Sequence, residues 1–258
     1  MGRFASTVQY YARYRQPYPA EFFRTVATEL QLSGRQMLLD VGCGPGLLAL
    51  GFAPYVASCT AVDPEPGMIA AAREAATRFQ VALRLIHGSV EELSSGNRFD
   101  LVTIGRALHW LDRERALKAF ERLAAPGCRI LVCHSGIDRQ NLSPALAAYD
   151  EVQHRWAENE SRYRMNAREW FTGTHFQYVR EIAVKETQRV TIEDLIGRSL
   201  SRSTTSIEKL GDRRHQFEVE MCAALAPHVV DGAIEESYTI RGTIFEWLGG
   251  KESIPQLR

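Results

Sequence analysis

From residue 37 to residue 134, short apolar runs alternate with stretches of helical periodicity. MLLDV (37–41), CTAVD (59–63), LRLIHG (83–88), FDLVTIG (99–105) and CRILVCH (128–134) are bounded by Gly, Asp or His. Runs of that length, apolar nearly throughout, read as strands of a parallel sheet covered on both faces. Between them Met68, Ile69, Ala72, Ala76 and Phe79 recur at helical spacing, as do Ala116, Leu117, Phe120, Leu123 and Ala124, giving two apolar stripes. Asp112 precedes the second stripe and is placed to cap its free amides, and Pro126-Gly127 is placed to end it. The pattern predicts a run of βαβ units. Arg84, set between Leu83 and Leu85, makes the third run alternate, as an edge strand should, and in a doubly wound sheet of order 3-2-1-4-5 the third strand is the edge.

After residue 134 the pattern changes. Residues 138–178 form a helical-looking stretch with Trp and Arg, broken at Asn166 and Gly173, and are expected to be a cap insertion. Residues 180–190 and 235–247 read as strands, with helices at about 191–202 and 212–226, and are expected to close the sheet at seven strands as an antiparallel final pair.

Composition narrows the function classes. The 258 residues, 45% hydrophobic and 24% charged, suit a folded globular chain rather than a disordered or fibrous one. Lys plus Arg (31) equals Asp plus Glu (31), so no overall field gathers nucleic acid or an anionic membrane surface. The start has no signal-peptide core, and no run approaches the roughly 18 apolar residues of a spanning helix, so no membrane partner and a cytoplasmic setting are expected. Cys43, Cys59, Cys128, Cys133 and Cys222 are scattered, without a CxxC pair or a His at zinc spacing. They read as reduced, mostly buried thiols, with no metal site.

The chemistry begins at Asp40-Val41-Gly42-Cys43-Gly44-Pro45-Gly46, which follows a strand and precedes an apolar helix from Leu47 to Tyr55. Glycine lets the backbone turn sharply and approach a ligand, and the helix presents unpaired amides to a carboxylate or phosphate. Two cofactors use such a turn, a dinucleotide with GxGxxG and an acid about 20 residues on, and S-adenosylmethionine. Here the order is GxGxG, and Leu47 stands where the third dinucleotide glycine belongs, which weighs against NAD.

With Asp63 ending the next strand, DVGCGPG resembles motif I and the acidic post-motif of class I methyltransferases. The order continues with Gly88-Ser89-Val90-Glu91-Glu92, FDLV and AAPGCRILV. YYARYRQPYP and RALHWLDRERAL are similar to the UbiE-like, methyltransferase type 11 group, including enzymes like trans-aconitate methyltransferase, and the resemblance covers about residues 8–135. It implies a Rossmann-like, mainly parallel seven-stranded sheet forming one domain over 1–258. Within it, 1–36 would be an N-terminal helical lid, 37–137 the S-adenosylmethionine-binding core, 138–178 the cap and 179–258 the completion of the sheet.

The resemblance places Gly42, Gly44 and Gly46 along the methionine part of the cofactor with Asp40 beneath its amino group, and Arg106 among the cofactor-binding residues. It also favours a contact between Arg15 and the cofactor carboxylate. Asp63 can accept two hydrogen bonds from a ribose diol, while Pro64 and Met68 offer apolar surface to adenine and Ser89 and Val90 border its edge. Ser89 departs from the Asp usual in the family, but its hydroxyl can still donate or accept.

His109 and Trp110 follow the fourth strand and are the catalytic candidates, His109 to take or orient an acceptor proton and Trp110 to cover the pocket. Methyl transfer asks little of a protein, because the sulfonium is already activated, so the small-molecule acceptor stays open among a carboxylate, a hydroxyl and an electron-rich carbon. An anion clamp from Arg139, Arg155, Arg162, Arg164 and Arg168, with Trp156, Tyr163 and Trp170, competes with a salt-laced exposed helix, since Asp138, Asp150, Glu151, Glu158, Glu160 and Glu169 share the span. An NAD-linked oxidoreductase and an idle cofactor-binding module acting through protein partners are the alternative functions; a monomer or homodimer is expected.

Overall fold

The structure, a computed structural model, describes residues 8–94, 96, 98–137, 142–157 and 166–249. The chain runs through α1 (Val8–Tyr14), α2 (Ala20–Glu29), β1 (Met37–Val41), α3 (Leu47–Phe52), β2 (Ser58–Asp63), α4 (Pro66–Phe79), β3 (Arg84–His87), β4 (Phe99–Gly105) and α5 (Arg113–Leu123). It continues through β5 (Ala124–Ile137), α6 (Pro144–Trp156), α7 (Ala167–Phe171), β6 (Phe176–Val190), α8 (Ile192–Leu200), α9 (Ile207–Leu210), α10 (Arg214–Leu225) and β7 (Ile234–Trp247).

The strands form one sheet of order β3-β2-β1-β4-β5-β7-β6. β1 pairs in parallel with β2 and β4, β2 with β3, and β4 with β5, so the expected doubly wound topology is borne out with β3 at the edge. The strand order reverses between β1 and β4, and in such sheets the crevice outside the carboxyl ends of those strands takes the ligand.

The chain packs as two compact units. One, here the sheet unit, holds the described parts of Ala20–His134, Arg164–Ala183 and Arg241–Arg258; the second holds those of Met1–Pro19, Ser135–Tyr163 and Val184–Ile240. The stretch expected as a lid therefore divides at Pro19, and the stretch expected as a cap divides at Tyr163.

In the sheet unit, Leu39, Val41, Val102 and Ile104 from the strands meet Ala116, Phe120 and Leu123, the apolar stripe of α5. Asp112 caps that helix by accepting a 2.9 Å bond from Arg115 N–H. Pro126-Gly127 does not end it, contrary to expectation. The helix stops at Leu123, β5 starts at once, and the pairing slips from Phe99↔Ala124 to Leu101↔Arg129, with Gly127 at φ +75 inside the irregularity. Proline and glycine here make a strand bulge. Trp170 and Phe171, expected in the cap, are core residues with Phe120 and Phe176, because α7 lays both rings against that cluster.

The second unit has its own core, where Tyr149 and Val152 of α6 meet Leu195 and Leu200 of α8, Phe217, Met221 and Leu225 of α10, and Ile234. It also buries ions. Glu236, fully buried, accepts hydrogen bonds from Gln16 Nε2 (2.7 Å), Gln188 Nε2 (2.8 Å) and the Arg198 guanidinium, and Arg198 Nε donates to the Tyr14 carbonyl at 3.3 Å. These bonds tie the end of α1 to α8 and β7.

Among the described residues no helix is long and apolar enough to cross a membrane, and the free cysteines Cys43, Cys59, Cys128 and Cys133 are buried while Cys222 is exposed.

Candidate active site

The turn from β1 to α3 is built from backbone. Gly42, Gly44 and Gly46 all adopt left-handed φ, at +60, +54 and +82. A Cβ on Gly42 would lie 2.6 Å from that of Ala107, so the turn touches the segment after β4 with no room for a side chain. The turn closes on itself through Gly46 N–H to the Cys43 carbonyl (2.9 Å) and is tied to β2 through Cys43 N–H to the Val62 carbonyl (3.1 Å).

Two carboxylates hold it. Asp40, 1% exposed, accepts from Thr103 Oγ1 at 2.8 Å and from Ala49 N–H at 3.2 Å, joining β1 to β4 and to α3. Burial pushes its pKa up to about 7 against those two bonds, which pull it down. Asp63 accepts from Gly44 N–H at 2.8 Å with one oxygen and from Glu65 N–H at 2.9 Å with the other. Its pKa is also raised, by burial, and the two amide bonds oppose the rise. A carboxylate oxygen accepts two hydrogen bonds, so each Asp63 oxygen keeps capacity for one more donor.

The ends of β2 and β3 are joined by Gly88 N–H to the Asp63 carbonyl (3.0 Å) and by His87 Nε2, 3.0 Å from the Pro64 carbonyl. Pro64 is exposed and Met68 is buried at the start of α4. Ser89 heads a capping box: its hydroxyl accepts from Glu92 N–H while its own N–H donates to Glu92 Oε2 at 2.8 Å, fixing the 3-10 turn Val90–Glu92. The Ser-x-x-Glu spacing that signals this box stands in the sequence. Glu92 is held below its ordinary range first by the Ser89 backbone bond.

After β4, Arg106 holds φ +59 without being glycine, and its N–H donates to the Cys133 carbonyl at 3.0 Å. Such a conformation costs energy and clusters at ligand sites; nothing in the residue type signals it. The 3-10 turn Leu108–Trp110 then exposes His109 and Trp110, their rings 4.7 Å apart at 45°. Asp40, the three glycines, Asp63, Pro64, Met68, Ser89, Val90, Arg106, His109 and Trp110 all belong to the sheet unit, on or just beyond the carboxyl ends of β1 to β4.

Arg15 belongs to the second unit, where it donates to the Ser201 carbonyl at 3.0 Å and lies 4.7 Å over the Tyr11 ring. Among the described residues of the 138–178 stretch, the side chains pair as the salt-laced alternative has it. Arg155 pairs with Glu151 and Glu220, Trp156 Nε1 donates to Glu220 at 2.6 Å, and Arg168 lies over the Tyr178 ring. Asp138, Arg139, Glu158, Glu160, Arg162, Tyr163 and Arg164 lie outside the described residues. No group of His, Cys, Asp and Glu among the described residues could hold a metal ion.

Residues 39–132 match the family described as "Methyltransferase domain". Over 103 residues, 39% of this chain and 41% of the relative, the sequence is 39% identical to a ubiquinone biosynthesis O-methyltransferase of Alkalilimnicola ehrlichii. Over 128 residues, 49% of each chain, it is 33% identical to an uncharacterized methyltransferase of Mycobacterium tuberculosis. The chain thus spans less than half the length of these curated relatives. Among solved structures, a protein of Anaeromyxobacter dehalogenans assigned to the type II methyltransferases superposes with a TM-score of 0.63 at 19% identity, covering 90% of this chain and 97% of the other. YjhP of E. coli gives 0.56 at 14%, covering 94% and 99%. The family match bears out the resemblance to class I methyltransferases carried by the ordered motifs, and the superpositions bear out the fold.

Proposed function

We propose that this chain, whose residues 39–132 match a methyltransferase domain, transfers a methyl group from S-adenosylmethionine to a small-molecule acceptor. The observation that carries the reading is Asp63, held by Gly44 N–H and Glu65 N–H with one acceptor position left on each oxygen, as a vicinal diol requires. The turn fits the same ligand, because Gly42 leaves no Cβ between backbone and neighbour.

In this reading Gly42, Gly44 and Gly46 face the methionine part and Asp63 takes the ribose. Pro64 and Met68 lie against adenine, and Ser89 and Val90 border it; Ser89 would do so by its backbone edge, since its hydroxyl serves the capping box. Asp40 acts from below. Both its oxygens already brace the turn beneath the place this reading gives the ligand's amino group. Arg106 shapes the segment against Gly42. Bound S-adenosylmethionine supplies a methyl group already activated by the sulfonium, so the chain's work is placement and exclusion of water. His109 orients the acceptor, or takes its proton where it is a hydroxyl, and Trp110 covers it.

The test is incubation with methyl-labelled S-adenosylmethionine and a panel of carboxylic, phenolic and alcoholic acceptors. Formation of S-adenosylhomocysteine with a labelled product, lost in Gly42→Val, is expected. Cofactor binding without transfer to any acceptor would leave an idle binding module instead.

A further inference from the structure

Thr103 stands in the middle of β4 between Val102 and Ile104, and all three are buried. Asp40 on β1 and Thr103 on β4 are register partners, and the Thr103 hydroxyl donates to Asp40 Oδ1 at 2.8 Å. The other oxygen, Oδ2, takes Ala49 N–H from α3 at 3.2 Å. Valine has nearly the outline of threonine and suits an apolar strand better, so what threonine adds at this position is the bond to Asp40.

Asp40 sits among acids. Cys43 of the turn, Cys59 and Asp63 of β2 and Cys133 of β5 all interact with it electrostatically, and the Arg106 charge acts on Cys133. Burial disfavours the charged form of Asp40, and of the two hydrogen bonds that oppose burial the one from Thr103 counts for more. A hydrogen bond donated to an ionised carboxylate is stronger than one donated to the neutral acid, so this contact acts on charge as well as on orientation.

We infer that Thr103 is the positioning residue for Asp40: its hydroxyl keeps that carboxylate ionised and oriented beneath the turn where S-adenosylmethionine would set its ammonium. This rests on the methyltransferase reading and adds to it a residue that acts through Asp40.

The test is calorimetric titration of the intact chain with S-adenosylmethionine, for the wild type, Thr103→Val and Thr103→Ser, across neutral pH. Without the hydroxyl Asp40 holds its proton more tightly, and the ligand's ammonium must displace it. Thr103→Val is therefore expected to bind about tenfold more weakly than the wild type at about pH 6 and nearly as tightly at about pH 9, where Asp40 is ionised in both. The ligand's own ammonium titrates alike in every titration and cancels in that ratio. Thr103→Ser, which keeps the hydroxyl, follows the wild type throughout, and in an Asp40→Asn background Thr103→Val loses its pH-dependent effect. In the ligand-free protein Thr103→Val extends the fall of melting temperature with pH to higher pH than in the wild type. Melting curves also show that each variant folds, and Thr103→Ala gives the same reading should the valine variant fail to fold. A loss in Thr103→Val that is the same at every pH, no loss at all, or a serine variant that behaves like the valine one overturns the inference. Failure of the wild type to bind S-adenosylmethionine removes the methyltransferase reading instead, and the ligand-free melting profile then still decides whether Thr103 sets the charge of Asp40.

Discussion

The two units make their polar sites by different means. In the sheet unit the turn is backbone: three left-handed glycines, amides aimed at Asp63, and one buried brace in Asp40. In the second unit the polar groups are the side chains of Gln16, Gln188, Arg198 and Glu236, distant in sequence and joined to one another by hydrogen bonds. A backbone site is fixed once its strand and helix form, whereas a side-chain site depends on each ion having its partner.

That contrast can be broken first in the second unit. Arg198→Met strands the Glu236 charge and is expected to cost about 3–5 kcal/mol, whereas the double change Arg198→Met with Glu236→Leu recovers most of it. Urea unfolding followed by hydrogen exchange checks this. The lost protection should concentrate in α8, α10 and the Ile234 end of β7, and equal loss in β1 and β2 would deny that the units differ.

Next is the pH dependence of the sheet unit. Asp40 titrates near 7 when folded against an ordinary 3.8, because burial disfavours its charge. The native state thus holds a proton that the unfolded chain releases, so stability is full below pH 3.8 and is lost as pH rises towards about 7. The loss from this group has a ceiling of about 4 kcal/mol. Asp63 contributes in the same direction. Melting temperature against pH should decline less steeply over that range in Asp40→Asn, and an unchanged decline would remove Asp40 as its source.

Smaller effects are expected from the ligand-facing groups. Asp63→Ala should weaken S-adenosylmethionine by about 10–100-fold with the fold retained, as calorimetry and circular dichroism would report. Unchanged affinity would mean the ribose lies elsewhere. His109→Ala should slow turnover about tenfold at similar cofactor affinity; full activity in steady-state assays would make the His109–Trp110 pair a packing contact.

Legibility followed local spacing and not the division between the units. The glycine turn, Asp63 and the strand order could be read because each follows from local spacing: apolar runs, glycines after a strand, an acid at the next strand's end. Pro126-Gly127 misled because the same pair that stops a helix also bulges a strand, and β5 begins without an intervening turn. Trp170 misled because a tryptophan in a polar stretch carries no sign of which neighbour it packs on. The Glu236 cluster left no signature, since Gln16 and Glu236 meet across 220 positions. Arg106 left none either, being an ordinary residue held in a glycine conformation.

The central claim is that the turn from Asp40 to Gly46 serves a methyl donor. Parallel calorimetric titrations of the intact protein with S-adenosylmethionine and with NADH test it most directly. One site for S-adenosylmethionine, lost in Gly42→Val, and no binding of NADH are expected. Binding of NADH with none of S-adenosylmethionine would contradict it.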